Sequence, residues 1–202
     1  MTYMPVLETE RLTIRPFVED DLTDIHRILD VELSDADFGS EGAQALAERE
    51  TWLRWTILND EQLAKLYQPP YGDRAIVLKP ARLLVGACGY VPCLNAFGQL
   101  PSAAQPTRLA STELGLFYAI SPLYQRRGYA AEAARALAGY AFKTLKLRRI
   151  VATTTYDNAG SMGVMRKLGM RVEKNPYPDP PWLQVVGVLD SPYSDGDTLY
   201  GK

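Results

Sequence analysis

The most constraining feature of the sequence is a glycine-containing segment between a predicted strand and a predicted helix. The segment is Gln125-Arg126-Arg127-Gly128-Tyr129-Ala130, with an apolar run over 114–120 before it and an alanine-rich run over 129–145 after it. A strand that turns directly into a helix presents unpaired N–H groups and the positive end of the helix dipole, which together form an anion site. Arginine side chains add donors suited to phosphate oxygens. The segment therefore predicts a turn that binds a pyrophosphate.

Two other phosphate motifs do not match this segment. A dinucleotide fold requires G-x-G-x-x-G, and a P-loop requires G-x-x-x-x-G-K-[ST]. Gly128 is followed by Tyr129-Ala130-Ala131, and the next lysine is Lys143. Taken alone, the segment also suits an ordinary tight connection between a strand and a helix.

The composition is that of a soluble globular protein. The chain has 202 residues, of which 47% are hydrophobic and 23% charged, which predicts a single domain over 1–202. No run is long enough to span a membrane and no secretory signal is visible, so we expect no membrane partner and a cytoplasmic location. Cys88 and Cys93 form no disulfide framework, and His26 is the single histidine, so we expect no metal site.

Charge is distributed unevenly along the chain. Residues 1–125 contain 10 Lys+Arg and 17 Asp+Glu, whereas residues 126–174 contain 11 Lys+Arg and 3 Asp+Glu. This pattern favours a polyanionic ligand near the glycine turn and a cationic partner near the acidic half. Nucleic acid is the alternative ligand of the basic block. We do not expect it, because no row of aromatic residues for base stacking accompanies the arginines.

Periodicity predicts an α/β fold with a mixed sheet of about seven strands and about four helices. The predicted strands are 12–15, 75–78, 83–91, 114–120, 150–155, 170–174 and 183–189. The predicted helices begin at Glu19, Ala43, Tyr129 and Asn158. Residues 94–111 lack periodicity and are predicted to be an insertion or flap, and 191–202 a weakly ordered tail.

The sequence resembles the GNAT superfamily of acyl-CoA-dependent N-acetyltransferases. Its diphosphate signature, Q/R-x-x-G-x-G/A, is matched by 125–130. Asn158-Ala159-Gly160-Ser161 and Arg166-Lys167-Leu168-Gly169-Met170 resemble the N-x-x-S…K-L-G-F segment of the ribosomal-protein alanine/serine acetyltransferase branch. The opening, 10–22, also resembles that branch. The resemblance runs from about residue 8 to about residue 190, interrupted by 94–111.

The resemblance implies a mostly antiparallel sheet with a splayed central strand pair, and acetyl-CoA as co-substrate. The splayed strand would pair with the pantetheine arm through the backbone of Tyr118, Ala119 and Ile120. Asn158 would reach the same arm. The diphosphate would be bound by the signature turn, which comprises Gln125, Arg126, Arg127, Gly128, Tyr129, Ala130 and Ala131.

The implied reaction is direct acetyl transfer to a primary amine, either a protein N-terminus or a small molecule. Glu113 is the candidate base, acting through water, and its alternative role is a solvated acid at a strand end. Many GNAT enzymes protonate the thiolate with a tyrosine, but that position is Met165 here. Ser161 is the substitute, with helix capping as its alternative role. Tyr124 and Tyr156 are weaker candidates.

Several alternatives stay open at the level of sequence. The chain is either an enzyme or a non-catalytic domain that binds acyl-CoA and reports it to a partner. A cysteine nucleophile is not expected, because buried strand cysteines are usually inert. The flap over 94–111, the loop around Tyr177 and Trp182, and the acidic loop over 35–41 are candidate acceptor-facing parts. A monomer and a homodimer are both compatible with the sequence.

Overall fold

The computed structural model describes residues 3–34, 42–103 and 106–193. The chain divides into two compact units: the first comprises Met1–Val91 and Phe117–Ala136, and the second comprises Pro92–Leu116 and Leu137–Lys202. The single domain expected over 1–202 stays a prediction. The acidic loop over 35–41 and most of the predicted tail, 194–202, lie outside the described residues.

The strands form one open mixed sheet, as predicted, but within the described part of the chain it has eight strands rather than seven. The hydrogen-bonded order is β1-β2-β3-β4-β5-β6-β8-β7. The additional strand, β1, has two residues, too few to show an alternating pattern. The strands are β1 (Leu7–Glu8), β2 (Leu12–Arg15), β3 (Gly72–Leu78), β4 (Leu83–Asn95), β5 (Ser111–Ile120), β6 (Arg149–Thr154), β7 (Arg171–Lys174) and β8 (Val185–Asp190).

Four α-helices accompany the sheet in the described residues, which confirms the expected number. The first, α1, continues into a π-helical segment, Arg27–Glu32, and π-helical geometry is frequent at functional sites. The helices are α1 (Leu22–His26), α2 (Leu46–Lys65), α3 (Tyr129–Lys143) and α4 (Ala159–Leu168). Two helices begin three residues later than predicted: α1 begins at Leu22 rather than Glu19, and α2 begins at Leu46 rather than Ala43.

In the first unit, β1 to β4 are connected by antiparallel pairing. Leu12 and Ile14 on β2 are fully buried, as the apolar-polar alternation predicts. Ala75 and Val77 on β3, which pair with Arg15 and Thr13 of β2, form part of a core that includes Phe17, Ile25 and Leu53. This arrangement buries one face of the strands under α1 and α2.

One close backbone approach fixes the position of β5 in the first unit. A Cβ atom added to Gly86 on β4 would lie 2.1 Å from the carbonyl oxygen of Ala119 on β5. Ser121 N–H, just after β5, donates to Val85 O at 2.9 Å. Because strand residues alternate in direction, the main-chain groups of Tyr118 and Ile120 face away from β4.

In the second unit, β8 lies between β6 and β7 and pairs antiparallel with both. The pairing of β5 with β6 is parallel and joins Gly115 to Val151. The segment predicted as a flap contributes to this unit's core, since Phe97 and Leu100 are buried. Residues 97–99 form a short 3₁₀ turn, and Thr107 N–H donates to Gly98 O.

Candidate active site

The turn that follows β5 has an unusual backbone conformation. Arg126 and Gly128 both have left-handed backbone dihedrals, with φ of 61° and 86°. Gly128 suits this conformation because a side chain with a Cβ is strained there. The side chains of Gln125, Arg126 and Arg127 are exposed. The turn therefore presents its backbone and two guanidinium groups to solvent.

The helix that begins at Tyr129 supplies the N–H groups of the site. Glu132 N–H donates to Gly128 O at 3.0 Å, which is the first helical hydrogen bond after the turn. The N–H groups of the preceding residues in a helix have no acceptor within that helix. Together with the helix dipole and the arginines, they make the start of α3 electropositive.

Gln125 connects the turn to the end of β5. Its side-chain Nε2 donates to Ile120 O at 2.9 Å. One residue later, Ser121 is fully buried and its Oγ donates to the Glu32 carboxylate, at the end of the π-helical segment. Two of the predicted site residues, Ile120 and Gln125, are therefore in direct contact. The end of β5 is held by the Gln125 side chain on one side and by the Ser121–Glu32 hydrogen bond on the other.

A network that the sequence analysis did not assign supports the helix start. Arg11 Nη2 lies 2.6 Å from Glu132 Oε2, and its guanidinium lies over the Tyr129 ring at 4.5 Å. Arg11 Nη1 also donates to Arg127 O at 3.0 Å, and Thr9 Oγ1 donates to Glu132 Oε1 at 2.6 Å. Arg11 lies in the opening segment that resembles the family, but its contact with Glu132, distant in sequence, is what reveals its role.

Glu132 is held in its charged form by this network. Its burial opposes ionisation, but the hydrogen bonds from Thr9 and from Arg11 outweigh that effect and lower its pKa. The carboxylate lies in the first turn of α3, where it would otherwise reduce the positive potential. Arg11 offsets that negative charge, so the positive potential at the start of α3 is retained.

Asn158 and Ser161 lie together at the start of α4 in the second unit. Asn158 Oδ1 accepts a hydrogen bond from Ser161 N–H at 2.9 Å, so the asparagine caps the helix. This bond does not use the two amide hydrogens of Asn158. The helix cap is therefore Asn158, whereas Ser161 was the residue predicted to cap the helix as its alternative role. Met165, at the position of the family tyrosine, is fully buried, and a Cβ added to Gly187 would lie 3.0 Å from its sulfur.

Glu113 on β5 is half-buried and forms an ion pair with Arg149 on β6. Arg149 Nε donates to Glu113 Oε2 at 2.9 Å, and Arg149 Nη2 donates to Glu113 Oε1. Both carboxylate oxygens are thus engaged by one guanidinium. A role for Glu113 as a base requires the carboxylate to leave this pair.

The two cysteines have the properties of inert thiols. Burial raises the pKa of Cys88 far above its usual range, and burial together with the nearby Glu113 charge raises that of Cys93 to about 11. Across residues 3–34, 42–103 and 106–193, no group of three histidine, cysteine or carboxylate side chains could hold a metal ion. Over the same ranges, no helix has both the length and the hydropathy that a membrane crossing requires.

Comparison with known proteins identifies a family. A profile described as "Acetyltransferase (GNAT) domain" matches residues 11–171. The uncharacterized N-acetyltransferase YoaA of Bacillus subtilis (strain 168) is 28% identical over 170 residues, which cover 84% of each chain. YnaD, another uncharacterized N-acetyltransferase of that organism, is 48% identical over 56 residues. That alignment spans 28% of this chain and 33% of YnaD.

Solved structures share the fold at low sequence identity. An acetyltransferase from Agrobacterium tumefaciens str. C58 is 23% identical with a TM-score of 0.68, covering 95% of this chain and 97% of that one. RimL, a ribosomal L7/L12 alpha-N-protein acetyltransferase in complex with coenzyme A, is 15% identical with a TM-score of 0.65. That match covers 93% of this chain and 98% of RimL. At these identities the similarity concerns the fold.

Proposed function

Because the chain belongs to the GNAT acetyltransferase family, we propose that it transfers an acetyl group from acetyl-CoA to the nitrogen of a primary amine. The observation that carries the proposal is the turn after β5, where Arg126 and Gly128 are both left-handed immediately before α3. A phosphorylated ligand suits this turn because backbone N–H groups, a helix dipole and two arginines coincide there. The solved structure of RimL, which shares the fold, contains coenzyme A in complex with the protein.

The chain's own residues fit the chemistry of coenzyme A. The diphosphate would be bound by main-chain N–H groups from Arg126 to Ala131, with the arginine side chains adding charge. The pantetheine amides would pair with the backbone of 118–120. The side-chain amide of Asn158 would donate to a carbonyl oxygen of the same arm.

The reaction requires a neutral amine, an acyl donor and a stabilised oxyanion. Bound acetyl-CoA supplies the thioester; a C–N bond forms at its acyl carbon, and the C–S bond breaks with the electron pair leaving on sulfur. A main-chain N–H of β5 would stabilise the oxyanion. Glu113 would accept one proton from the ammonium through water, and the second proton that the attacking nitrogen loses on amide formation would pass through the Ser161 hydroxyl to the thiolate. Holding both reactants on one scaffold supplies much of the rate.

A non-catalytic acyl-CoA-binding domain is the second candidate function. Met165 favours it, because the side chain at the position of the family tyrosine is a buried packing residue without a proton donor. Tyr156 does not replace it directly, since its hydroxyl already donates to Asn175 O. Coenzyme A thiolate is a good leaving group, so the loss of the tyrosine slows the reaction without preventing it.

Thiol release from acetyl-CoA tests the proposal. The assay would use peptide N-termini, polyamines and amino acids as acceptors, and isothermal titration would measure acetyl-CoA affinity separately. We expect saturable binding and turnover with at least one class of primary amine. Tight binding without turnover on any amine supports the non-catalytic function, and the absence of binding contradicts both. The cytoplasmic location and the monomeric or homodimeric state stay predictions.

A further inference from the structure

A cavity of about 210 Å³ lies within the first unit, apart from the turn at Gly128. Its lining combines aromatic and aliphatic side chains with a few charged groups. The π-helical segment, α2, β3, β4 and β5 all contribute to it. The charged, amide and aromatic side chains of the lining are Asp30, Gln44, Arg49, Trp52, Asp73 and Phe117.

The charged groups of the cavity include a closed ion pair. Arg49 Nη2 and Nε donate to the two Asp30 oxygens at 2.7 and 2.8 Å, and the side chains of both residues are at most 8% exposed. The Arg49 guanidinium also lies over the Trp52 ring at 4.7 Å. The pair is neutral as a whole, so the net charge of the cavity lining is determined by the remaining carboxyl group, Asp73.

Asp73, on β3, carries the charge that the ion pair does not neutralise. Part of its surface is still accessible to solvent, but burial raises its pKa to about 6, and the Arg49 charge opposes that rise without cancelling it. A cation bound beside Asp73 would offset this burial. The carboxylate is therefore a site where an ammonium group gains more than it would at an exposed acid.

Gln44 also lines the cavity and carries a buried acceptor. Its Oε1 is buried, and no hydrogen-bond donor reaches it among the residues that the structure describes. A buried acceptor without a partner is unfavourable, and a ligand N–H that reached Gln44 Oε1 would remove that penalty. Trp52 and Phe117 supply apolar surface beside these acceptors, and they are partly buried in the first unit's core.

We propose that this cavity binds the acceptor substrate as a primary ammonium group attached to an apolar or aromatic group. Asp73 is the counter-ion, Gln44 Oε1 accepts a second hydrogen bond, and the apolar group packs against Trp52 and Phe117. This assignment rests on the proposed function: Phe117 directly precedes Tyr118 on the strand proposed to bind the acyl donor. A small arylalkylamine and a peptide with an apolar first residue share this chemistry.

Direct binding tests the assignment without requiring turnover. Intrinsic tryptophan fluorescence would be titrated with 2-phenylethylamine and with a peptide that begins with leucine. Ethanolamine lacks the apolar group, and 3-phenylpropionate replaces the ammonium with a carboxylate. A Trp52→Phe variant identifies the signal that comes from the cavity. We expect the first two ligands to bind at least about tenfold more tightly than the last two. Comparing the affinities of 2-phenylethylamine and the leucine peptide shows whether a small amine or a peptide is the better occupant.

Asp73→Asn and Glu50→Gln form a matched pair of variants. Glu50 is also a carboxylate, but it pairs with Arg54 on the exposed face of α2. We expect Asp73→Asn to weaken amine binding about 10- to 100-fold while acetyl-CoA affinity changes less than about twofold. Glu50→Gln should change neither. Equal amine affinities in the two variants, or equal affinities for 2-phenylethylamine and 3-phenylpropionate, would overturn the assignment.

The pH dependence of amine binding gives an independent measure. The charged and titratable groups around Asp73 are Arg49 on α2, Cys88 on β4 and, beyond Arg49, Asp30 with His26 nearby. Because the variant keeps all of these, the difference between wild type and Asp73→Asn isolates Asp73. We expect wild-type affinity to fall as the pH drops through about 6 and the variant's affinity to stay flat. Parallel profiles would contradict the role of Asp73. Failure of acetyl-CoA binding in the wild type would instead refute the proposed function.

Discussion

Arg11 and Glu132 form an ion pair with 2.6 Å between Arg11 Nη2 and Glu132 Oε2, across 121 positions of sequence. The pair joins the turn between β1 and β2 to the first turn of α3. Arg11 also contacts the backbone of Arg127 and the ring of Tyr129, so it reaches both sides of Gly128. The geometry of the proposed diphosphate site thus depends on a residue that lies 121 positions before Glu132 in the sequence.

Replacing Glu132 by Gln should destabilise the protein at neutral pH and remove part of its acid sensitivity. The folded-state pKa of Glu132 is lowered, so its stabilising effect is complete above the unfolded value of about 4.3 and is lost as the pH falls through the folded value. We expect a loss of about 1–2 kcal/mol at pH 7, since charged hydrogen bonds are removed from a largely buried carboxylate. Urea unfolding from pH 7 to pH 3 measures the difference, and curves that stay parallel over this range contradict the prediction.

Gly128→Glu should abolish acetyl-CoA binding, because a carboxylate would enter the site proposed for the diphosphate. We expect affinity to fall by at least about 100-fold. Gly128→Ala separates strain from charge, since it forces a Cβ into the left-handed conformation at a cost of about 1–2 kcal/mol. Gly169 has a similar φ of 82° at the end of α4. Gly169→Ala should therefore lose stability and retain acetyl-CoA affinity, and unchanged affinity in a folded Gly128→Glu variant would refute the turn assignment.

Glu113→Gln should lower turnover most strongly at low pH, where unprotonated amine is scarcest. A general base commonly contributes about 100-fold or more to the rate. Arg149→Met is the matched variant, because it releases the carboxylate from its ion pair without removing it. We expect Arg149→Met to retain more activity than Glu113→Gln. Equal losses in both variants, with an unchanged pH–rate profile, would give Glu113 a purely structural role.

Arg49→Met should be strongly destabilising. It leaves the Asp30 carboxylate, which is 2% exposed, buried without its partner. Breaking a buried ion pair by removing one member costs about 3–5 kcal/mol. Arg54, also on α2, forms an exposed pair with Glu50, so Arg54→Met should cost less than about 1 kcal/mol. Chemical denaturation of both variants compares the two sites, and similar midpoints would contradict the distinction.

Much of the fold was predictable because its signals are local. The alternation in 12–15 and the apolar run before Gly128 gave β2 and β5, and the alanine-rich run gave α3. Bounds were less accurate where a local contact decides them. α2 begins at Leu46 rather than Ala43, because Ala45 N–H donates to Glu48 Oε2 at 2.9 Å and starts the helix there. The last strand begins at Val185, because residues 181–183 form a 3₁₀ turn.

The proposed cofactor turn was predictable and the cavity was not, for a physical reason. The turn lies in one contiguous segment, so its glycine, arginines and helix start are visible together. The cavity combines Asp30, Arg49, Asp73 and Phe117, which lie on four different elements and match no motif. The partner of Glu113, Arg149, was invisible for the same reason, since parallel pairing of β5 with β6 brings the two residues together.

The glycine at position 86 has a consequence for variation in this protein. A methyl group at this position would lie 2.1 Å from the Ala119 oxygen, which is far too close. The backbone of β5 around Ala119 would therefore have to shift. The stretch displaced would be the one proposed to hold the acyl donor. A residue that contacts neither substrate would then determine whether the acyl group is positioned correctly for attack by the amine.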